Sequence, residues 1–305
     1  MTDVDFDFHD DFDAVDLGIN EGPVGDGEVV ASNKPAIKRT IDNGPFHMKE
    51  VEIIIPFNGE QARVIKAIEA IFTTISTNRY LITLVDDGSA NRYFMPIVNR
   101  YKKRFAGVRC FRLERSKGFG AAVNHALKNP WVFTDNPRKQ IPYVCILQSD
   151  ARPEANNWLS ELGNTLEYLK ESGIKMVSPK TNNPMSPLKI LHGEKGVTSD
   201  DKIVPEDSFL PLYCALCHRE LFNRVGLFKE FPYAGCEAEE FADRLRLHGF
   251  RQAVCGSSWV HHDGGGTLAR FKNNPKVMKI LRNAEEQFFA SKKARVEAIH
   301  TNEVG

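Results

Sequence analysis

Three aspartates stand where predicted strands end. The segment LITLVDDGS places Asp86 and Asp87 after one apolar run, and YVCILQSDARP places Asp150 after another. In open parallel sheets, ligands bind beyond the carboxyl ends of the strands, so these carboxylates are placed to meet a ligand. A hard cation that bridges two phosphates takes oxygen ligands, and Asp150 is suited to supply one. Each aspartate, taken alone, is also compatible with an ordinary turn.

More acids open a predicted helix in AGCEAEEFADRLRLHGF. At about 100° per residue, its apolar positions form one stripe, namely Ala238, Phe241, Ala242 and Leu245. Glu237, at the start of the helix, is placed to act as a general base toward a hydroxyl group. Glu240 and Arg244 are spaced for an i,i+4 ion pair that would hold the helix in place. Acids in a first turn also simply complement the helix dipole.

A third motif, SWVHHDGGGTLARF, runs from a predicted strand into two histidines and three glycines. Glycines let the backbone approach a ligand closely, and the imidazole of His262 is a ligand for a metal or a phosphate. Histidine pairs are often structural or lie on the surface. The loop-like surroundings of this pair favour a functional role.

The elements that position these residues follow a regular pattern from Val51 onward. Apolar runs of strand length alternate with helix-length segments, which is typical of a parallel sheet covered by helices. The predicted strands are 51–56, 80–85, 108–113, 143–147 and 175–178, and the predicted helices lie near 61–75, 93–105, 120–127 and 158–172. This pattern predicts an α/β fold with a nucleotide-binding half-domain. Residues 184–207, rich in Pro, Gly, Ser and charge, are predicted to form a long loop near the site.

The two ends of the chain differ from the middle. Residues 1–46 mix aspartates with phenylalanines and continue into Gly/Pro-rich sequence, which predicts a disordered acidic arm. The arm is either a solvated tail or a segment that docks on a partner or shields a basic groove. Residues 271–305 have a mixed-charge amphipathic pattern, which predicts a C-terminal extension of one or two helices. The principal domain then spans 47–270.

The composition excludes some classes of protein. Lys plus Arg and Asp plus Glu number 40 each in 305 residues, so the overall charge does not favour a nucleic-acid or membrane partner. The six cysteines are scattered and the N-terminus is acidic, unlike a signal peptide, which predicts a reducing cytoplasm. No apolar run approaches the ~20 residues of a membrane helix, so no transmembrane segment is expected.

Together the motifs resemble family 2 of the glycosyltransferases with the GT-A fold, a Rossmann-like nucleotide-binding domain whose mostly parallel central sheet is flanked by helices. The matching segments keep the family's order over about residues 50–268, and they are VEIIIPFNGE, VDDGS, RSKGFGAAVNHAL, QSDARPEANNWLSEL, 210–250 and HHDGGGT. The resemblance implies donor-binding residues, namely Pro56, Asn58, Asp86, Asp87, Lys117, Gly118, Asn124, Ser149 and Asp150. It also implies a metal held by Asp150 and His262, and a base at Glu237, with Glu239 as a rival.

The implied reaction is a single in-line displacement with inversion at the sugar carbon. A base removes the acceptor proton, while Mn²⁺ or Mg²⁺ and His262 stabilise the departing diphosphate of a UDP-, dTDP- or GDP-linked sugar. Two motifs have fewer acidic residues than is usual in the family. Gln148-Ser149-Asp150 has one acid where many members have two, and Glu237-Ala238 lacks the second acid. The alternative is therefore a nucleotide-sugar-binding protein with weakened catalysis.

The acceptor stays open between two classes. The resemblance favours a glycan or a lipid-linked sugar. A basic segment suggests the second class of acceptor, and its residues are Arg100, Lys102, Lys103, Arg104, Arg109, Arg112, Arg115 and Lys117. Such a segment either follows a polyanion or is a solvated surface. The first interpretation leads to glycosylation of a hydroxymethylated DNA base, as large bacterial viruses perform it, and places the protein in the cytoplasm of the host.

Overall fold

The computed structural model describes residues 50–75, 79–101, 105, 107–132, 139–186, 188–232, 235–264 and 273–303, with backbone alone at 79 and 293–303. The acidic arm predicted at 1–46 lies outside these residues. So do Lys102, Lys103 and Arg104 of the basic segment, and two of the three glycines that follow His262 and Asp263.

The described part of the chain alternates strands and helices as predicted. Its strands are β1 (Glu50–Phe57), β2 (Arg79–Asp86), β3 (Val108–Arg112), β4 (Tyr143–Leu147), β5 (Ala151–Pro153), β6 (Ile174–Lys180), β7 (Lys202–Ile203), β8 (Cys214–His218) and β9 (Arg251–His262). Its helices are α1 (Gln61–Thr74), α2 (Asn91–Tyr101), α3 (Phe119–Lys128), α4 (Trp158–Leu169), α5 (Glu220–Val225), α6 (Glu237–Leu247) and α7 (Pro275–Glu303). The strands and helices predicted between residues 51 and 178 are all present, with ends that differ by a few residues. The strand predicted before His262 and the helix predicted at Glu237 are present as β9 and α6.

The strands form a mixed sheet in the order β3-β2-β1-β4-β8-β6-β9-β5, with β7 paired to β9. β3, β2, β1 and β4 are parallel, and β6 is parallel to β9. β8 runs antiparallel between β4 and β6. Residues 51–57 of β1 are all buried, as expected for a strand whose sheet is covered on both faces. The prediction of a mostly parallel central sheet flanked by helices is confirmed.

The segment 184–207 has little regular structure, as predicted, but it is fastened to β9. Lys202 and Ile203 pair antiparallel with Val254 and Ala253. The Asp201 carboxylate, which is buried, accepts a hydrogen bond from the backbone N–H of Gly256 at 2.9 Å. Part of this segment therefore lies alongside β9, the strand that ends at His262.

The C-terminal extension is one helix in the described residues. Phe288 on α7 is buried and meets the ring of Phe231 edge-on, with 6.1 Å between the ring centroids. Lys292 lies 2.6 Å from a carboxylate oxygen of Glu239 and 3.4 Å from one of Asp243, both on α6. α7 thus packs along α6. None of the described helices combines the length and apolar content that a membrane crossing requires.

A buried ionic cluster lies near the start of β1, away from the edge where the parallel strands end. Glu52 is fully buried and accepts hydrogen bonds from the guanidinium groups of Arg109 and Arg219. The hydroxyl of Thr83 donates to the same carboxylate at 2.5 Å. These residues come from β1, β2, β3 and the end of β8, so the cluster ties four strands together.

Candidate active site

The strands β1, β2, β4, β6 and β9 end at one edge of the sheet, and the chemically interesting residues follow them there. Asp87 comes directly after β2, Asp150 follows β4, and His262 ends β9. β5 turns back and pairs antiparallel with the end of β9, so that Ala151 lies opposite His262. This pairing places Asp150 beside His262. The predicted clustering of these residues at one sheet edge agrees with the rule that ligands bind at carboxyl ends of strands.

Asp87 organises the turn that leads into α3. Its carboxylate accepts hydrogen bonds from the hydroxyl of Ser116 at 2.7 Å and from the backbone N–H groups of Lys117 at 2.7 Å and Gly118 at 3.0 Å. Asn58 donates from its side chain to the Asp87 carbonyl. Burial raises the pKa of Asp87, and these three donors oppose that shift. The side chain of Lys117 is exposed at the same turn.

Asp86 is fully buried and faces Arg112. One carboxylate oxygen accepts a hydrogen bond from the backbone N–H of Ser89 at 3.0 Å, and the other lies 3.2 Å from Nε of Arg112. Burial raises the pKa of Asp86, and Arg112 is among the groups that lower it. The guanidinium of Arg112 also lies 4.9 Å from the ring centroid of Phe94. Arg112, a residue of the basic segment, thus forms an ion pair with a buried acid of the protein itself.

Gly88 allows the turn after β2 to lie against the turn that leads into α3. Its φ is +73°, and a Cβ built on it would lie 2.4 Å from the backbone nitrogen of Ser116. We expect Gly88→Ala to lower the free energy of unfolding by about 2 kcal/mol or more, since backbone strain and a backbone clash add. Chemical denaturation measures this loss. Gly196→Ala is the control, because Gly196 has a φ of +80° and open space around it. Equal losses in both variants would show that the clash contributes nothing.

Asp150 and His262 form a pair that fits a divalent cation. Nε2 of His262 lies 3.5 Å from Oδ1 of Asp150, and both side chains are less than a tenth exposed. Nδ1 of His262 lies 2.6 Å from the backbone carbonyl oxygen of Asn183. Because a carbonyl only accepts, Nδ1 carries a hydrogen, and in the neutral ring Nε2 then presents its lone pair. Nε2 is buried and makes no hydrogen bond within the described residues.

This donor set suits Mn²⁺ or Mg²⁺ with few protein ligands. One imidazole nitrogen and one carboxylate leave room for phosphate oxygens and waters, which such cations usually retain. Among the described residues, no cluster of three or more His, Cys, Asp or Glu side chains has the geometry of a metal site. A cation held here would therefore need further oxygen ligands from a bound molecule or from water.

Sequence reasoning missed Glu60, which lies beside Ser149. The hydroxyl of Ser149 donates to Oε2 of Glu60 at 3.3 Å, and Arg63 lies 3.3 Å from Oε1. Glu60 has a left-handed backbone with a φ of +49° although it is not a glycine. Strain of this kind is often kept near functional sites. The segment PFNGE contained the residue, but no local pattern indicated its contact with position 149.

Glu237 is a buried carboxylate at the start of α6. It is 3% exposed, and its Oε2 accepts a hydrogen bond from the backbone N–H of Gly235 at 2.6 Å. Its Oε1 makes no hydrogen bond to a described residue. Burial raises the pKa of Glu237 to about 6, and the N–H of Gly120 in the first turn of α3 is among the donors that oppose the shift. Glu237 thus lies at the same end of α3 as the turn held by Asp87.

Three other predicted site residues have structural partners. Glu239 forms an ion pair with Lys292 of α7. The side-chain amide of Asn124 is buried, donates to the Phe228 carbonyl at 2.8 Å and accepts from the Phe228 N–H at 3.0 Å. Pro56 lies inside β1, opposite Val85 of β2. The predicted i,i+4 pair is present, since the guanidinium of Arg244 lies 2.8 Å from Glu240.

Comparisons with known proteins place this arrangement in a family. No curated protein matches the chain. Two solved structures share its fold, one of GalNAc-T7 with UDP, GalNAc and Mn²⁺ and one of the mannosyltransferase PcManGT from Pyrobaculum calidifontis with GDP-Man and Mn²⁺. Both have a TM-score of 0.56, with identities of 18% and 19% over 70% and 78% of this chain. The chain covers 44% of the first protein's length and 63% of the second's, less than two thirds of each.

The family profile described as glycosyl transferase family 2 matches residues 52–226. This segment runs from β1 through α5 and contains Asp87, Asp150 and the turn into α3. The predicted GT-A fold is confirmed by the profile together with the two structures. Because the match covers more than half of the chain, the protein belongs to glycosyltransferase family 2.

Proposed function

We propose that the protein is a metal-assisted glycosyltransferase that moves a sugar from a nucleotide-diphosphate donor to an acceptor hydroxyl, with inversion at the sugar carbon. The observation that carries the proposal is Glu237, a buried carboxylate with a raised pKa beside the first turn of α3, at the end of that helix that Asp87 also contacts. Asp150 and His262 lie together after other strands of the same sheet. Two proteins of the same fold were solved with a nucleotide or nucleotide sugar and Mn²⁺, which supports this class of donor and cofactor.

Glu237 is the best candidate for the general base. A base works best when its pKa lies near the working pH, and a pKa of about 6 leaves Glu237 largely ionised at neutral pH. It would take the acceptor's proton as the hydroxyl oxygen attacks the anomeric carbon. Glu239 is less suited, because Lys292 neutralises its carboxylate. One displacement of this kind inverts the sugar carbon.

Asp150 and His262 would hold the cation through one carboxylate oxygen and Nε2. When bound, the cation supplies Lewis-acid stabilisation to the leaving diphosphate. On the nucleoside side, Asp87 fixes the turn of Ser116, Lys117 and Gly118, so its role in donor binding is to shape the turn. Asp86, Asn58, Lys117 and Ser149 stay candidates for direct contacts with the donor, and Pro56 and Asn124 act through packing in this proposal.

The acceptor remains a choice between a glycan, a lipid-linked sugar and a hydroxymethylated DNA base. The contacts of the basic segment count against DNA. Arg100 pairs with Glu69, Arg109 with Glu52 and Arg112 with Asp86, so these three guanidinium groups already have acidic partners. We favour a sugar hydroxyl as the acceptor. In this proposal residues 47–270 form the transferase domain, and the extension at 271–305 supports the helix that carries Glu237.

The test is hydrolysis or transfer by purified protein with a panel of UDP-, dTDP- and GDP-sugars and Mn²⁺ or Mg²⁺. We expect turnover of one donor, and we expect Asp150→Ala to lower it about 100-fold or more, since the cation loses its carboxylate ligand. Asp207→Ala, the same change at an exposed loop position, should leave the rate unchanged. Donor binding without turnover would favour the alternative of a nucleotide-sugar-binding protein. Absence of both turnover and calorimetric binding would contradict the proposal.

A further inference from the structure

Two consecutive asparagines, Asn182 and Asn183, hold His262 from the end of β6. We name them the asparagine turn. The side chain of Asn182 makes two hydrogen bonds to the backbone of His262, because its Oδ1 accepts from the His262 N–H at 2.8 Å and its Nδ2 donates to the His262 carbonyl at 3.1 Å. The carbonyl of Asn183 accepts from Nδ1 of the ring at 2.6 Å. The turn therefore fixes both the backbone and the ring of one residue.

Further contacts hold the asparagine turn and the His262 ring in place. The side-chain amide of Asn183 donates to the Asp263 carbonyl at 3.3 Å. Tyr213 stacks on the His262 ring with 5.2 Å between centroids, and its hydroxyl donates to the Pro179 carbonyl at 2.5 Å. Arg152 of β5 pairs with Asp263 at 2.9 Å, which clamps the strand beside Asp150. The ring thus has little freedom to rotate away from Asp150.

We propose that Asn182 is a positioning residue of the metal site, and that the asparagine turn selects the His262 tautomer with hydrogen on Nδ1. In the neutral ring, that tautomer leaves the lone pair of Nε2 facing an oxygen of Asp150, 3.5 Å away. Two acceptors then face each other, and a bound cation would compensate both. The opposite tautomer would place a hydrogen on Nε2 and two acceptors against each other at Nδ1. Partners that orient a metal-binding histidine commonly change metal affinity by about 10–100-fold when they are removed. The inference deepens the proposed function and rests on it for the identity of the ligand.

The first experiment reads the tautomer in metal-free protein. Long-range ¹H–¹⁵N spectra of ¹⁵N-histidine-labelled full-length protein at pH 8.5 distinguish the two tautomers, and the His262→Gln variant assigns the signal. We expect a single Nδ1–H form in the native protein and a mixture in Asn182→Ala. Asn182→Asp keeps the oxygen that accepts from the His262 N–H but loses the donor, so it should lie between them.

The second experiment measures Mn²⁺ binding by calorimetry for the same proteins. We expect Asn182→Ala to bind Mn²⁺ about tenfold more weakly, at little cost in melting temperature. Asn129→Ala is the matched control, since Asn129 is also exposed and donates its amide to a backbone carbonyl, that of His125 at 2.8 Å. It should keep the native affinity.

The outcomes separate the two proposals. An Nε2–H tautomer in the native protein, or an unchanged tautomer and Mn²⁺ affinity in Asn182→Ala, overturns the positioning role. If Asn182→Ala fails to fold, Asn182→Asp answers the same question. A native protein that shows the Nδ1–H form but binds no Mn²⁺ overturns the inference as a metal-site role and the metal-assisted function with it. If the native protein has the Nε2–H tautomer but still binds Mn²⁺ and transfers sugar, the inference is overturned and the proposed function stands.

Discussion

Replacing Glu237 with Gln is expected to lower kcat by about 10²–10⁴-fold, the usual contribution of a general base. Gln has the shape of Glu and keeps an oxygen to accept the hydrogen bond from the N–H of Gly235. The KM for the donor should therefore stay close to the native value. Steady-state kinetics with the donor identified in the screen measures both constants. Native kcat/KM should rise with pH through about 6, because only the ionised carboxylate accepts a proton.

The same substitution is expected to stabilise the fold at neutral pH. Burial raises the pKa of Glu237 from 4.5 to about 6, so the native state holds its proton more tightly than the unfolded chain does. As the pH rises from below 4.5 through 6, the unfolded chain ionises first and the native state loses stability. The difference between the two pKa values corresponds to about 2 kcal/mol at pH 7. Glu237→Gln removes this penalty, so it should unfold at higher denaturant concentration at pH 8 while having lost activity.

Glu239→Gln is the matched control. The carboxylate of Glu239 is two residues away on the same helix and pairs with Lys292 at a partly exposed position. Its loss should lower the free energy of unfolding by less than about 1 kcal/mol and leave kcat near the native value. If Glu239→Gln abolished turnover while Glu237→Gln retained it, Glu239 would be the base.

Local pattern sufficed for much of the fold. Apolar runs identified β1 to β4 and β6. Periodicity of 3.6 residues identified Phe241, Ala242 and Leu245 of α6 as buried, whereas Ala238 is only partly buried and two glutamates of the helix are buried. The same periodicity identified the pair of Glu240 with Arg244. These features depend on residues that are neighbours in the chain. β8 was not assigned as a strand, because its antiparallel position between β4 and β6 depends on pairing that no short segment specifies.

The sequence indicates which chemically interesting residues follow the strands, but it does not indicate their contacts with one another. Donor binding by Asp87 stays a prediction, and the sequence does not indicate that its carboxylate accepts hydrogen bonds from Ser116 and Gly118, about thirty residues along the chain. The proximity of Asp150 and His262 depends on the register of β5 against β9. The helix-dipole interpretation of Glu237 could not reveal its burial, which depends on Gly235 and on the first turn of α3.

The pattern of charge along the sequence also did not indicate which basic residues have acidic partners inside the protein. The basic segment suggested a surface for a polyanion, whereas Arg109 reaches the buried Glu52, which is 57 positions earlier in the sequence. Such pairs form only when neighbouring strands bring distant residues together. A run of basic residues therefore indicates a binding surface only if its side chains are not already paired with acids inside the protein.

Glu52 itself gives the largest expected effect on stability. Glu52→Gln leaves the guanidinium of Arg219, whose side chain is 8% exposed, and that of Arg109 beside a neutral amide. Removing one partner of a buried ion pair typically costs about 3–5 kcal/mol, because the remaining charge is neither solvated nor compensated. We expect a loss of this size in urea denaturation monitored by circular dichroism. Nη1 of Arg219 makes no hydrogen bond to the described residues, so few other groups share its charge.

Two further variants test whether charge, and not shape, causes the loss. Glu69→Gln breaks the exposed pair with Arg100, where both side chains are nearly half exposed, and should cost less than about 1 kcal/mol. Glu52→Leu combined with Arg109→Met and Arg219→Met removes all three charges of the cluster and should be more stable than Glu52→Gln alone, since apolar replacements of a whole buried ionic group are often neutral. If this triple variant were less stable than Glu52→Gln, the cluster would stabilise the fold through its hydrogen bonds and not through charge compensation.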